Sequence, residues 1–335
     1  MNGNHLTLGI VLLALTLAFL CVGYYRARKV TAIAFWGWGG LAIILSAEGL
    51  LILRVEWATT FFTSMAWTGY LLLIDALVWS MRGASRLGSS PRQFFALAFW
   101  SVPLWLVFEA YNLRLANWTY VGLPENAWVR SIGYIWAFAT IWPAIFETAD
   151  FIRAAGLVPG QEQKTPFERG RPSERVRSAA VDSSPIANST LYKIAAVGLA
   201  MVTLPLVLPP RAGAYFFGLV WMGFIPLLDP VNYLWHGRSL LRDLWEGHRS
   251  VLYSFLASGW VCGILWEFWN YWATAKWLYV FPILQSLRIF EMPAPGFLGF
   301  PPFALECFVM YEFLRTLKNQ LTRRKQSWEA RPLGH

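Results

Sequence analysis

Charge is what this sequence has least of. Only 14% of its 335 residues are Asp, Glu, Lys or Arg, against roughly 25% in a soluble domain. A water-exposed surface could not be covered with so little. Cysteine is scarce as well. Cys21, Cys262 and Cys307 all fall in apolar stretches without zinc-type spacing, which excludes a disulfide scaffold and reads as buried small hydrophobes. Of the histidines, His5 and His335 are terminal, and His236 and His248 have no further ligand in register. A Gly-rich phosphate loop, a Ser nucleophile elbow and HExxH are all missing. No metal site and no cofactor are therefore expected.

What is present is apolar. Hydrophobic residues make up 56% of the chain and aromatics 17%, including 20 Trp, and the mean hydropathy is +0.43. The class that fits is an all-α integral membrane protein. About nine spans are expected, at 6–24, 30–53, 58–81, 94–114, 129–152, 191–209, 214–235, 250–272 and 297–316. The net charge of +9 would point to nucleic acid in a soluble protein. Here the basic residues sit in short links between spans, so membrane and not nucleic acid is the expected partner. Apart from Arg54, Arg114, Arg130, Arg211, Lys276 and Arg288, every Lys and Arg falls in or beside 25–29, 82–93, 153–190, 236–249 or the tail after 316. The positive-inside rule makes those the inner segments, with the N-terminus outside and the C-terminus cytoplasmic. The first apolar stretch has its basic residues after it, as a retained helix does. A bacterial inner membrane is the expected location.

The chain repeats itself. Trp67-Thr-Gly69-Tyr70 precedes Asp75 as Trp221-Met-Gly223-Phe224 precedes Asp229. Glu109-x-x-Asn112 returns as Glu267-x-x-Asn270, Trp118-x-Tyr120 as Trp277-x-Tyr279, and Pro143-x-x-x-Glu147 as Pro302-x-x-x-Glu306. Chance likeness between greasy helices would match Leu and Val rather than acids and amides. The units expected are an extra N-terminal helix (1–29), a first four-helix repeat (30–153), a flexible cytoplasmic linker (154–190), a second four-helix repeat (191–317) and a basic tail (318–335). Four spans is an even number, so the repeats should be parallel, related by a pseudo-two-fold axis along the membrane normal. Within 236–249 a short helix in the inner interface is expected.

Ionisable groups inside spans are functional hypotheses by default. The candidate catalytic residues are Glu306, Glu267, Asp229, Glu109, Glu147 and Asp75. Asp75, Glu147, Asp229 and Glu306 belong to the inner part of the bilayer, roughly 10 Å from the inner span ends. Glu109 and Glu267 belong near the outer ends. Glu48, also near an outer end, has no clear repeat mate and reads as structural. Glu306 has no basic residue nearby before Arg315, and a carboxylic acid kept neutral in an apolar site is a proton donor. Candidate binding residues are Asn270, Asn112, Trp266, Trp269, Trp277, Tyr279, Trp118 and Tyr120, an aromatic wall for a flat or long apolar ligand. The Pro- and Gly-rich stretch 293–302 predicts irregular backbone at membrane depth, tolerated where it lines a cavity, and marks the expected site mouth.

The order acid, Trp-x-Tyr, a Pro- and Gly-containing stretch, then Pro with a following Glu in a helix resembles the lycopene cyclase domain family, over about 105–150 and 263–315. The family motif has two adjacent Glu after its Pro, whereas Pro302-Phe-Ala-Leu-Glu306 has one. The resemblance implies non-redox cyclisation or isomerisation of a polyene. A protonated carboxyl adds a proton to a double bond and a carboxylate removes one after ring closure. Glu306 and Glu147 would carry over as the proline-following acids, Glu267 and Glu109 as the upstream ones. An apolar lipid, polyprenoid or carotenoid-like substrate is thus the leading expectation. A proton-coupled transporter or lipid carrier is the alternative. A non-catalytic assembly partner, using 154–190 as its contact surface, is the second.

Overall fold

The computed structural model describes residues 3–159 and 186–329. The greater part of the expected linker and the last residues of the expected tail lie outside the described residues. The helices are α1 (Gly3–Arg26), α2 (Phe35–Ile52), α3 (Glu56–Arg82), α4 (Arg86–Ser89), α5 (Pro91–Leu115), α6 (Ala127–Ala154), α7 (Asn188–Val207), α8 (Pro210–Gly213), α9 (Phe217–Leu234), α10 (Leu240–Trp245), α11 (Ser250–Trp272) and α12 (Phe300–Glu329). Among the described residues nine are long and apolar enough to cross a membrane. The protein is an all-α integral membrane protein. The short helices α4 and α10 follow α3 and α9, and α10 falls within the 236–249 stretch where a short helix is expected.

Both boundaries of the last helix differ from expectation. The last helix starts at Phe300, after a 3-10 segment Ala294–Gly299, and runs on to Glu329 through residues expected as tail. Lys and Arg have good helix propensity, so a basic sequence need not end a helix. Four strands also form: β1 (Trp118–Val121), β2 (Lys276–Tyr279), β3 (Arg288–Ile289) and β4 (Met292–Pro293). All are too short to carry a period-2 signal.

Equivalent helices make equivalent packings. α2 lies along α3 as α7 lies along α9; α3 packs on α6 as α9 on α12; α5 packs on α6 as α11 on α12. The fold is two parallel four-helix repeats, with α1 outside them against α11 and β3. The helix pairs approach closely at small residues, as membrane helices do. A Cβ on Gly40 would stand 2.5 Å from the Gly69 carbonyl oxygen, and one on Gly69 2.7 Å from the Gly40 oxygen. Gly198 in α7 meets α9 likewise, its Cβ position 2.2 Å from the Leu227 nitrogen.

The halves differ in one respect. α6 packs firmly on α11, but its pseudo-symmetric counterpart, α5 with α12, touches sparsely. The two meet where Trp105 and Phe108 pack on Phe303, at 5.9 and 5.5 Å, and a gap is left toward the Arg92 end of α5.

At one end of the bundle β1 and β2 pair antiparallel, with Trp118 opposite Tyr279, Thr119 opposite Leu278 and Tyr120 opposite Trp277. Because Trp118 corresponds to Trp277 and Tyr120 to Tyr279, this register is self-complementary. That is what a two-fold axis through the ladder requires.

Candidate active site: an aromatic chamber with two tyrosine–glutamate pairs

Each repeat builds its share of the site from one turn of helix. In Glu-x-x-Asn the two side chains lie on the same face. The Asn grips the strand that follows. Asn112 Oδ1 accepts from the Asn117 (2.8 Å) and Trp118 (3.1 Å) backbone N–H groups, and its Nδ2 donates to the Trp118 carbonyl at 2.9 Å. Asn270 Oδ1 accepts from Trp277 N–H at 3.0 Å, and its Nδ2 donates to the Trp277 carbonyl at 2.9 Å. An Asn side chain can offer one donor and one acceptor to a backbone in this way, so each strand is fixed to its helix.

With the strand fixed, the Tyr two residues on reaches the Glu. Tyr120 donates to Glu109 Oε1, which also accepts from Trp105 Nε1 at 2.8 Å and Trp118 Nε1 at 3.3 Å. Tyr279 donates to Glu267 Oε1 at 2.8 Å, and Trp277 Nε1 donates to the Tyr279 oxygen at 2.9 Å. Burial above all, then the adjacent carboxyl, holds both phenols well above the usual tyrosine range. The pairs are not identical. Glu267 is buried and its Oε2 has no partner, whereas Glu109 is only partly buried.

Both tyrosines line one cavity under the strand pair, about 130 Å³ in volume, close to that of an engineered apolar cavity that binds benzene. Its walls come from both halves: Trp67 and Trp221, equivalent residues of α3 and α9; Trp105 and Trp266 on α5 and α11; and Phe300 and Phe303 at the start of α12. Trp266 stacks on Phe300 with centroids 6.4 Å apart, and Trp221 on the same ring at 6.3 Å. Trp118 and Trp277 complete the lining. Arg130 and Lys276 stand among the lining residues, Arg130 donating to the Pro124 carbonyl and Lys276 paired with Glu291 at 2.5 Å.

Of the residues singled out from sequence, the structure gathers Trp118, Tyr120, Trp266, Trp277 and Tyr279 at the cavity, with Glu109, Glu267, Asn112 and Asn270 immediately behind. Trp269 is not in the lining; it donates to Glu48 Oε1 at 3.0 Å and meets Trp67 edge-on. Phe300, in the 293–302 stretch, lines the cavity together with Phe303 just beyond it. Glu306, one turn deeper, does not reach the lining. Its Oε1 accepts from the Phe224 backbone N–H at 2.9 Å, and its buried Oε2 has no partner.

Asp75, Asp229 and Glu147 serve another region. Asp75 accepts from Ser85 Oγ (2.8 Å), Leu87 N–H (2.9 Å) and Trp36 Nε1 (3.0 Å). Asp229 accepts from Ser239 Oγ (2.9 Å), Leu240 N–H (2.9 Å) and Leu241 N–H (2.8 Å). Ser85 and Ser239 are the N-caps of α4 and α10. These bonds stay within each half. Glu147 makes no hydrogen bond and lies 3.9 Å from Arg86 Nε, which pairs with Asp150 at 2.6 Å. Burial works against the Arg86 charge, but Asp150 and Glu147 outweigh it and hold the guanidinium above its usual range.

Sequence reasoning missed Trp67, Trp105, Trp221, Tyr134 and the Phe300–Phe303 pair as lining. Trp67 and Trp221 were visible as repeat markers, and their recurrence beside Gly was the available signal. No protein-family model matches the chain, and neither a curated protein nor a solved structure is significantly similar to it.

Proposed function

We propose that this is an integral membrane enzyme performing non-redox acid–base chemistry on a flat apolar lipid of the polyprenoid or polyene class. One observation carries the reading: two Tyr–Glu pairs, one from each repeat, face a single aromatic cavity. An isomerisation or cyclisation of this kind takes up one proton and releases one, and two relays supply both steps. In the acid step the Tyr279 hydroxyl turns from Glu267 Oε1 to the double bond and gives up its proton there, while its oxygen takes the Glu267 proton in exchange. In the base step the Tyr120 oxygen takes a proton from the carbon beside the cation and hands its own to Glu109. The roles follow from the surroundings. Three donors suit Glu109 to carry negative charge. Glu267 has one donor and a dehydrated second oxygen, which suits a carboxyl carrying its proton. Between the steps, indole and phenyl faces stabilise the cation, by up to ~2 kcal/mol each when dry. Glu306, which the family resemblance favours as the acid, is outside the cavity, so that part passes to Glu267.

The test is incubation of the full-length protein in nanodiscs, in D₂O, with an isoprenoid extract of its expression host, followed by mass spectrometry. A product isomeric with its precursor and carrying one carbon-bound deuterium is expected. Tyr279→Phe should cut its rate about 100-fold and leave bound precursor unchanged. Bulk phospholipid alone, with no deuterium on carbon, would overturn the reading.

A further inference from the structure

On the inner side, at the gap between α5 and α12, lies a second recess of about 390 Å³. Its chemistry is unlike that of the chamber. Six cations line it: Arg86, Arg92, Arg153, Arg238, Arg315 and Lys318, with Glu312 the sole acid among the lining residues. Nearby carboxylates neutralise some of this charge. Asp150 serves both Arg86 and Arg153, and Glu312 holds Arg315 Nη1 at 2.9 and 3.1 Å. Arg92 and Lys318 make no ion pair among the described residues, so the recess keeps an excess of positive charge.

The guanidinium groups are also set in place. Arg86 stands 5.2 Å above the Phe146 ring, Arg153 5.8 Å above Phe255 and Arg238 5.1 Å above Phe308. Arg153 Nη1 is tied to Ser254 Oγ at 2.9 Å. Side chains of Arg86 and Arg153 are only 12% and 8% exposed, so they form a floor and are not a fringe reaching for water.

The recess is polar at one end only. Along α5 it runs from Arg92 past Ala96 to Trp100, about 12 Å at the helical rise. Trp100 is part of the exposed, lipid-facing flank of α5 with Phe95 and Phe99. A cationic pocket that opens sideways into hydrocarbon fits an amphiphile. Arg recognises phosphate oxygens by paired N–H donors, and basic pockets between spans at the inner face take anionic headgroups.

We propose that this recess is a binding site for a phosphate-bearing group, entered from the bilayer through the α5–α12 gap or from water at its inner mouth. The inference is independent of the chemistry assigned to the outer chamber.

The experiment is native mass spectrometry of the delipidated full-length protein titrated with dioleoyl phosphatidic acid or dioleoyl phosphatidylcholine. One phosphatidic acid per chain should bind, at least tenfold more tightly than phosphatidylcholine. Arg92→Gln with Lys318→Gln, both at the exposed rim, should weaken it about 30-fold. Arg26→Gln with Arg28→Gln, equally basic but remote, should leave it unchanged. Inorganic pyrophosphate tells the sources apart: if it competes with the lipid and alone raises the melting temperature, a soluble phosphate suffices; if it does neither, the lipid tail is required. Equal affinity for the two lipids, or equal loss in both double variants, would overturn the proposal.

Discussion

An acid inside a membrane span is costly, and the candidate acids differ in the donors that keep them, from three at Glu109 to none at Glu147 among the described residues. Asp75 and Asp229 have three apiece, and what they hold in place is the start of α4 and of α10. Removing such an acceptor strands all its buried donors. Asp229→Ala should therefore destabilise the protein by about 3 kcal/mol, read as a lower midpoint in SDS-induced unfolding from mixed micelles, with Asp229→Asn intermediate. The acids, the Asn one turn on and the Trp-x-Tyr were legible because each recurs at fixed order in both halves. Ser85 and Ser239 recur as well, ten residues after their Asp. They escaped notice because serine is common in loops and no hydrophobic period marks it. Glu306 shows the opposite failure: the sequence displays its isolation from charge, but not that a backbone N–H of α9 would occupy its carboxyl.

Span positions were set by runs of apolar residues about as long as the bilayer is thick, so the nine helices could be found within a few residues, the far end of the last excepted. Contacts between helices could not, since lipid-facing and protein-facing sides are both apolar. What decides them is where a side chain is missing. At Gly198 a methyl group would meet the α9 backbone at Leu227 and Pro226, which cannot move aside as a flexible side chain can. Gly198→Ala should force α7 from α9 and cost about 1–3 kcal/mol, measured by the same unfolding assay. Gly39, whose Cβ would meet nothing, serves as the neutral control. The strands β1 and β2 were hidden for a different reason. Four residues carry no readable alternation, and each has its partner in the other repeat.

Across the whole molecule the parallel repeat, the positive-inside pattern and the strand pair are mutually consistent. The positive-inside rule then predicts the aromatic chamber toward the outer face and the cationic recess toward the inner one. A single cysteine at Ser89 should accordingly react with a membrane-impermeant maleimide only after the inner face is opened. One at Glu125 should react in intact cells, with Cys21 replaced by Ser to remove background. Reversed labelling would exchange the two faces and leave the fold unchanged. The asymmetry of the helix packing was not legible, because the two repeats look alike in sequence at the residues that define them. Closing α6 on α11 while leaving α5 apart from α12 depends on side-chain shape along whole helix faces.

The self-complementary register of β1 and β2 has a historical consequence. Such an interface is what two copies of one short chain would make on meeting, each lending the other a strand, a tyrosine and half of a chamber. Joining the copies end to end would release each from the obligation to stay the same. One glutamate could then keep three donors while its twin kept one, and a device that began with two interchangeable ends could acquire a direction.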